Sequence, residues 1–371
     1  MVDGWLDLMR NVINEITPAE AAAMQTDGVM LIDVREPDEH ALGLPKNALA
    51  VPRAELEKNP SAYIFNVDQK VLLICASGAR SIVAAEKLAT LGYRKLFNVL
   101  GGFQRWSAEH LPLEDNGLDP DFNERYARHL RLPQIGIDGQ RKLEQAHVAL
   151  IGAGGLGSPA AYYLTAAGIG NITIIDNDVV DKSNLQRQIL HTEASIGTPK
   201  VDSAATAMHA LNPRVKILTQ QQRLNADNVR SIIADADVVI DGSDNFPTRY
   251  LLNDACVDLA KPLVYAAVQR FSGQMSVFDA GRYRGSAPCY RCLFPEAPSD
   301  EDAPNCAEAG VLGVLPGVMG LLQATEAIKI ILGIGQTLSG RLLQFDALAM
   351  RFSELRIPVD KECPCCGISK P

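Results

Sequence analysis

Three groups of residues in this chain have the types and spacing to do chemistry. The first is Cys75-Ala76-Ser77-Gly78-Ala79-Arg80-Ser81, directly after the apolar run Val71-Leu72-Leu73-Ile74. Backbone N–H groups of so short a loop can converge on a thiolate. A following helix N-terminus and Arg80 would lower the thiol pKa further, which makes Cys75 a candidate nucleophile. The alternative is a core cysteine at a strand end. The second group is Gly152-Ala153-Gly154-Gly155-Leu156-Gly157, between the apolar run Val148–Ile151 and a helical stretch. Gly152, Gly154, Gly155 and Gly157 permit a tight turn and close approach of backbone to phosphate, with helix N–H groups aimed at the anion. Asp176 follows 19 residues after Gly157, placed to accept hydrogen bonds from ribose hydroxyls. The third group is two Cys-x-x-Cys pairs, Cys289 with Cys292 and Cys363 with Cys366. Four thiolates can close a tetrahedral Zn²⁺ site. Their separation exceeds zinc-ribbon spacing, so a redox pair or unrelated thiols stay open.

The glycine turn alone does not choose between a dinucleotide and a triphosphate. Asn184-Leu185-Gln186-Arg187-Gln188 and Lys200 add two cations soon after Asp176, which suits spread phosphate charge. A solvated face is the plain alternative for Arg187 and Lys200. Asp241-Gly242-Ser243-Asp244-Asn245 ends another apolar run, where a carboxylate can hold Mg²⁺ through oxygen. Cys306, in Asn305-Cys306-Ala307-Glu308, lies before an apolar helical stretch and is either an accessible, acidified thiol or an inert one. Cys256 reads as core, and Cys365 as an extra thiol without a role.

These groups need a scaffold, and composition says which kinds are excluded. The chain has 371 residues, 47% hydrophobic and 21% charged, with net charge −9. Such length suits two or three domains. The acidic balance argues against nucleic acid and anionic membranes as partners, both of which reward positive charge. Eight cysteines in this length are too few for a disulfide scaffold. No secretory signal is evident, so a reducing cytoplasm is the expected setting. Val148–Ile175 runs 28 residues without a charge, yet its six glycines and Pro159 read as strand, turn and helix rather than a membrane span.

The positioning elements follow from pattern. Thr17-Pro18-Ala19-Glu20 starts a capped helix, Val29–Val34 and Val71–Ile74 suit strands covered on both faces, and Phe97–Leu100 belongs to the segment that closes the unit. Ser81–Leu91 is helical, closed by Gly92, and a Gly101-Gly102 turn precedes Trp106. Pro112 to Pro120 reads as the linker. Beyond it, runs at His147–Ile151, Asn171–Ile175, Val215–Thr219, Asp237–Asp241 and Leu263–Val268 alternate with helical stretches. That alternation predicts an α/β fold with a Rossmann-like, doubly wound parallel sheet. Gly281–Ala309 is a long loop carrying three cysteines, which favours function. The expected domains are 1–115 and 120–371.

With these motifs in order, the larger domain resembles the ubiquitin-activating superfamily of adenylyltransferases. The resemblance rests on Arg125-Tyr126-Ala127-Arg128, the Gly152 turn, Ser183–Gln188, Gly197-Thr198-Pro199-Lys200 and Asp241–Asn245. Bacterial members activate the sulfur-carrier proteins of molybdopterin and thiamine biosynthesis. The resemblance implies ATP rather than NAD, with Asp176 on the ribose. It puts Asn184, Arg187, Gln188 and Lys200 at the nucleotide, Asp244 on Mg²⁺ with Asn245 beside it, and Zn²⁺ on the two cysteine pairs. The family's arginine at the Arg128 position reaches a partner subunit's site, which implies a homodimer. Cys306 matches a loop cysteine that takes the acyl group or resolves a disulfide in some members.

The first 115 residues resemble rhodanese, a sulfurtransferase module whose cysteine carries a persulfide. Leu31-Ile32-Asp33-Val34-Arg35-Glu36, the Cys75 loop, Gly101-Gly102 and Trp106 carry the likeness. Four residues separate Cys75 from Arg80, where a related phosphatase loop has five. One departure is Gly43-Leu44-Pro45, where the family has Gly-His-Ile. Together the modules imply that the C-terminal glycine of a small ubiquitin-like carrier ending Gly-Gly is adenylylated. It is then converted to a thiocarboxylate by sulfur on Cys75, which an upstream donor supplies. Molybdopterin synthase's small subunit is the favoured carrier, with the thiamine carrier as the alternative. Two rival functions stay open: a nicotinamide-dependent oxidoreductase, and a carrier-binding scaffold with an inactive rhodanese module.

Overall fold

The computed structural model describes residues 13–41, 43–114, 117, 119–296 and 310–367. It divides into two compact units, Met1–Gly136 and Ile137–Pro371.

In the first unit, the reciprocal hydrogen bonds of Thr17 and Glu20 start helix Pro18–Thr26 at the position the sequence predicts. Five strands form a parallel sheet: β1 (Ile13–Ile16), β2 (Met30–Asp33), β3 (Leu49–Ala50), β4 (Lys70–Ile74) and β5 (Lys95–Val99), in the order β1-β5-β4-β2-β3. After the exposed Lys70, strand β4 is apolar because it is covered twice. Val71 and Leu73 join Ile32 and Leu88 on one face, while Leu72 and Ile74 join Leu31 and Trp106 on the other. Helix Ala79–Thr90 begins directly after the Cys75 loop, so β4 and this helix fix both ends of that loop.

The expected linker is partly structured. Leu113 bridges Pro45, Glu114 N–H donates to Leu44 O at 2.8 Å, and the Trp106 indole donates to Pro112 O at 3.1 Å. These bonds tie the segment back onto the first unit. Helix Pro120–Leu130 also clusters with that unit, although the sequence reading placed it at the head of the second domain.

The second unit holds an eight-stranded sheet. Strands β6 (His147–Ile151), β7 (Asn171–Ile175), β8 (Lys216–Gln220), β9 (Val238–Asp241) and β10 (Leu263–Gln269) pair in parallel. Strands β11 (Ser272–Phe278), β12 (Arg341–Asp346) and β13 (Arg351–Arg356) then extend it antiparallel. The order is β13-β12-β11-β10-β9-β6-β7-β8. The purely parallel expectation therefore misses this extension. The β10–β11 hairpin turns through Arg270 at φ 52°, without the Gly or Asn that marks such turns in sequence. Strand β13 is exposed along its whole length and has no apolar alternation to detect.

Strand order reverses between β6 and β9, the switch point at which doubly wound sheets bind ligands. Val148–Ile175 folds as β6, helix Gly157–Ala167 and β7, as the glycines predict. One described helix, Val314–Leu332, is long and apolar enough to cross a membrane. It packs on β9, β10, β11 and helix Gly157–Ala167, and buried Gln323 donates to Asp241 O and Val264 O at 2.7 and 3.0 Å. That is the placement of a core helix.

Candidate functional site

At the switch point the glycine turn leaves β6 and the Asp241–Asn245 loop leaves β9. Gly157 shows why the turn must be glycine there: a Cβ would lie 1.9 Å from Gly152 O. A cavity of about 360 Å³ opens above the turn. Gly152, Gly154, Gly155, Asp176, Arg187, Gln188, Lys200, Asp244 and Asn245 all line it. Gly157 and Asn184 are not among its walls; Gly157 supports the turn, and Asn184 closes the short helical turn Lys182–Asn184.

Four of these wall residues are held by bonds the sequence does not display. Asp176 accepts from Ala153 N–H at 2.8 Å and from Asp178 N–H at 2.9 Å, which locks it against the glycine turn. Lys200 Nζ lies 2.8 Å from Asp178 Oδ2, with the lysine side chain only 7% exposed. Arg187 donates to Ser183 O at 3.3 Å. Asn245 caps helix Phe246–Asp258 through Thr248 N–H at 3.0 Å, so it positions as well as lines. Asp244 is exposed toward solvent, as a carboxylate for a hydrated cation should be.

Several cavity residues escape sequence reading. Asp178, Arg223, Thr248 and Arg249 line it without a motif to mark them. Buried Asp241 accepts from Ser243 N–H and Oγ at 2.9 and 2.6 Å, and Arg249 donates to Ser243 O at 3.1 Å. Burial pushes the Asp241 carboxyl above its usual range, opposed by Arg249 and Ser243. The pair fixes the loop that presents Asp244. His191 is a second hidden anchor. Its Nε2 meets Ala153 O at 3.0 Å and its Nδ1 meets Ser203 Oγ at 3.0 Å. A carbonyl only accepts, so Nε2 carries the proton and Nδ1 accepts from the hydroxyl. Burial lowers the imidazole pKa, consistent with that neutral tautomer.

The thiols of Cys289, Cys292, Cys363 and Cys366 all lie within 4.8 Å of one another. Cys289 and Cys363 are 3.6 Å apart, and Cys292 and Cys366 3.4 Å. Tetrahedral Zn–S bonds of 2.3 Å require sulfurs about 3.8 Å apart, so the donor set fits a closed structural metal site. Hydrogen bonds from the other thiols, Cys292 foremost, outweigh burial and hold Cys289 well below the usual thiol range. Asn253 joins the two knuckles, accepting from Tyr290 N–H at 2.8 Å and donating to Cys365 at 3.5 Å. It sits on helix Phe246–Asp258, whose first turn lines the cavity. Cys256 is buried in the core on that same helix. Cys306 lies outside the described residues.

In the first unit, Cys75 is 1% exposed at the end of β4. Gly78 N–H donates to its Sγ at 3.2 Å and Ser81 Oγ at 3.3 Å. Burial opposes ionisation, but bonds from Ser81, Ser77 and Gly78 prevail and hold the thiol below its ordinary value. Ser81 Oγ also lies 2.7 Å from Asn98 Oδ1, a second acceptor within reach of its single hydroxyl proton. Gly102 approaches the loop so closely that a Cβ would lie 2.2 Å from Cys75 O, and Phe103 N–H donates to that same oxygen at 2.7 Å. Arg80 does not point its hydrogen bonds at the thiol; it forms a bidentate pair with Glu39 at 2.7 and 2.6 Å. Gly43, in the departing Gly-Leu-Pro turn, accepts from Arg35 at 2.6 Å. Arg128 lies exposed in the last turn of helix Pro120–Leu130.

Comparison with known proteins matches both units. Residues 126–365 match the ThiF family and residues 17–109 the Rhodanese-like domain. The SAMP-activating enzyme E1 of Haloferax volcanii is 47% identical over 67% of this chain and 91% of its own. The sulfur carrier protein adenylyltransferase of Thermus thermophilus is 47% identical over 71% of this chain and 93% of its own. The adenylyltransferase and sulfurtransferase MOCS3 of Arabidopsis thaliana is 45% identical over 69% of this chain and 54% of its own. Among solved structures, Escherichia coli MccB with ATP shares the fold at TM-score 0.57 and 21% identity, covering 67% of this chain and 76% of that one.

Proposed function

Because the chain belongs to the ThiF family and carries an N-terminal rhodanese-like domain, we propose that it is an adenylyltransferase and sulfurtransferase acting on a sulfur-carrier protein. The observation that carries this reading is the convergence of Asp176, Arg187, Lys200 and Asp244 on one cavity at the switch point. A carboxylate is a poor acceptor for sulfur nucleophiles, and adenylylation gives it a leaving group. The carrier's terminal carboxylate oxygen attacks the α-phosphorus of ATP, the α–β bridge breaks, and pyrophosphate leaves. Arg187 and Lys200 neutralise charge developing on the phosphates, Asp176 orients the ribose, and the glycine turn supplies backbone donors. Gln188 and Asn245 complete the wall, and Asn184 steadies the Arg187 segment. Asp244 would hold the Mg²⁺ that screens the triphosphate.

A persulfide on Cys75 then attacks the acyl carbon and displaces AMP, which gives an acyl disulfide. A second thiol, for which Cys306 is the candidate, reduces it to the thiocarboxylate and ends as the disulfide partner. Cys289, Cys292, Cys363 and Cys366 would hold Zn²⁺ as a cross-link between chain segments. The carrier of molybdopterin-synthase small-subunit type, the homodimer with Arg128 acting in its partner's site, and the cytoplasmic setting rest on the family resemblance.

ATP–pyrophosphate exchange tests the reading, run with and without a carrier ending Gly-Gly and repeated with Cys75→Ala. Carrier-dependent exchange should survive Cys75→Ala while thiocarboxylate formation stops. A protein without exchange, or a mutant that still transfers sulfur when no other donor is present, would sink it. Carrier-dependent exchange also separates this reading from a nicotinamide oxidoreductase, and loss of transfer in the mutant separates it from a silent scaffold.

A further inference from the structure

The Cys75 loop carries a guanidinium that could attract an anion, yet its Nη1–Nη2 edge is already taken up by a carboxylate. Arg80 Nη1 and Nη2 donate to Glu39 Oε2 and Oε1 at 2.7 and 2.6 Å, the paired-fork geometry that Arg–carboxylate bonds favour. Glu39 is itself fixed, because its Oε2 also accepts from Glu36 N–H at 3.1 Å. The pair is partly shielded, with side chains 36% and 25% exposed. Arg80 also feels the Cys75 thiolate and the Glu36 carboxylate. Nor does Arg35 supply a spare charge: it is bound to Asp33 at 2.7 Å and to Gly43 O at 2.6 Å, and lies 3.7 Å over the Phe103 ring. One cation beside Cys75 therefore meets two carboxylates, Glu39 and Glu36.

We infer that Glu39 is a specificity-determining residue of the Cys75 site: it cancels Arg80 and selects persulfide donors that are neutral or cationic over small dianions such as thiosulfate. This inference rests on Cys75 being the sulfur carrier and names its donor class. In the favoured reaction the Cys75 thiolate attacks the terminal sulfur of R–S–SH. An S–S bond forms at Sγ, the donor's S–S bond breaks, and the displaced thiolate leaves with the electron pair and takes up the persulfide proton as RSH. With thiosulfate the same attack expels sulfite, but the incoming dianion meets an arginine that Glu39 has already neutralised.

The test measures persulfide formation on Cys75 in the intact chain, by mass and by rate, with thiosulfate and with cysteamine persulfide. Wild type should prefer cysteamine persulfide. Glu39→Gln should raise kcat/KM for thiosulfate about fivefold, the size of one exposed charge pair, chiefly through KM. The gain should shrink at high salt and disappear when Arg80→Ala is added. Glu39→Asp should retain the wild-type preference. A variant in which both donors change by the same factor, or in which thiosulfate kinetics stay unchanged, would overturn the inference. Absence of persulfide from either donor in wild type would remove the sulfur-carrier reading beneath it, a distinguishable failure.

Discussion

Lys200 Nζ and Asp178 Oδ2 lie 2.8 Å apart, the lysine side chain 7% exposed and the aspartate 59%. Both residues line the cavity, with the lysine as the buried end of the pair. An arriving phosphate can therefore replace Asp178 as the counterion of Lys200. Asp178→Asn should destabilise the ligand-free protein and enlarge the stabilisation by ATP, because the nucleotide then supplies a missing anion. The difference should be about 1 kcal/mol, or a few degrees in melting temperature. Thermal unfolding with and without ATP measures it; equal ATP shifts in both proteins would show that the pair is incidental to binding.

The Cys75 thiol ionises below its ordinary value, burial notwithstanding, through bonds from Ser81, Ser77 and Gly78. An unfolded thiol ionises near ~8.5. The unfolded chain therefore binds the extra proton in the interval between the two values. Stability from this group is complete above the unfolded value and is lost as pH falls through the folded one. Ser81→Ala should move the pH profile of Cys75 alkylation upward. A profile unmoved by that change would mean that Ser81 does not hold the thiolate.

Gly102 sits at φ +57°, with Cys75 O 2.2 Å from where a Cβ would be. Gly102→Ala must push the sulfur loop away or strain the turn, at a cost of about 2 kcal/mol. Persulfide formation should fall sharply while ATP–pyrophosphate exchange persists. Wild-type persulfide kinetics in this variant would refute the close packing.

The four-thiol cluster predicts one bound Zn²⁺ per chain, measurable by elemental analysis of the purified protein. Cys363→Ser should abolish it and lower stability by several kcal/mol, since structural zinc contributes directly to folding. Full metal content in that variant would place the ion elsewhere.

Local pattern was enough to locate much of this protein. The capping box at Thr17, the five parallel strands of the second unit and the glycine turn follow from neighbours in sequence, because helix caps, strand runs and phosphate turns are short-range devices. The spacing of the cysteine pairs named a metal site but could not close it. Cys289 and Cys363 are 74 residues apart, and Asn253, on a third element, bonds to both knuckles. Charge partners lay further beyond reach. Sequence placed Arg80 as the cation of the Cys75 loop, while the fold brings it Glu39 from 41 residues away. Lys200 meets Asp178, and Asp241 meets Arg249, through packing that no motif encodes. Residue type and spacing determined which groups this protein has available for chemistry. Tertiary structure decided which charges remain available, because a Coulomb partner is set by distance in space and by the water excluded around it.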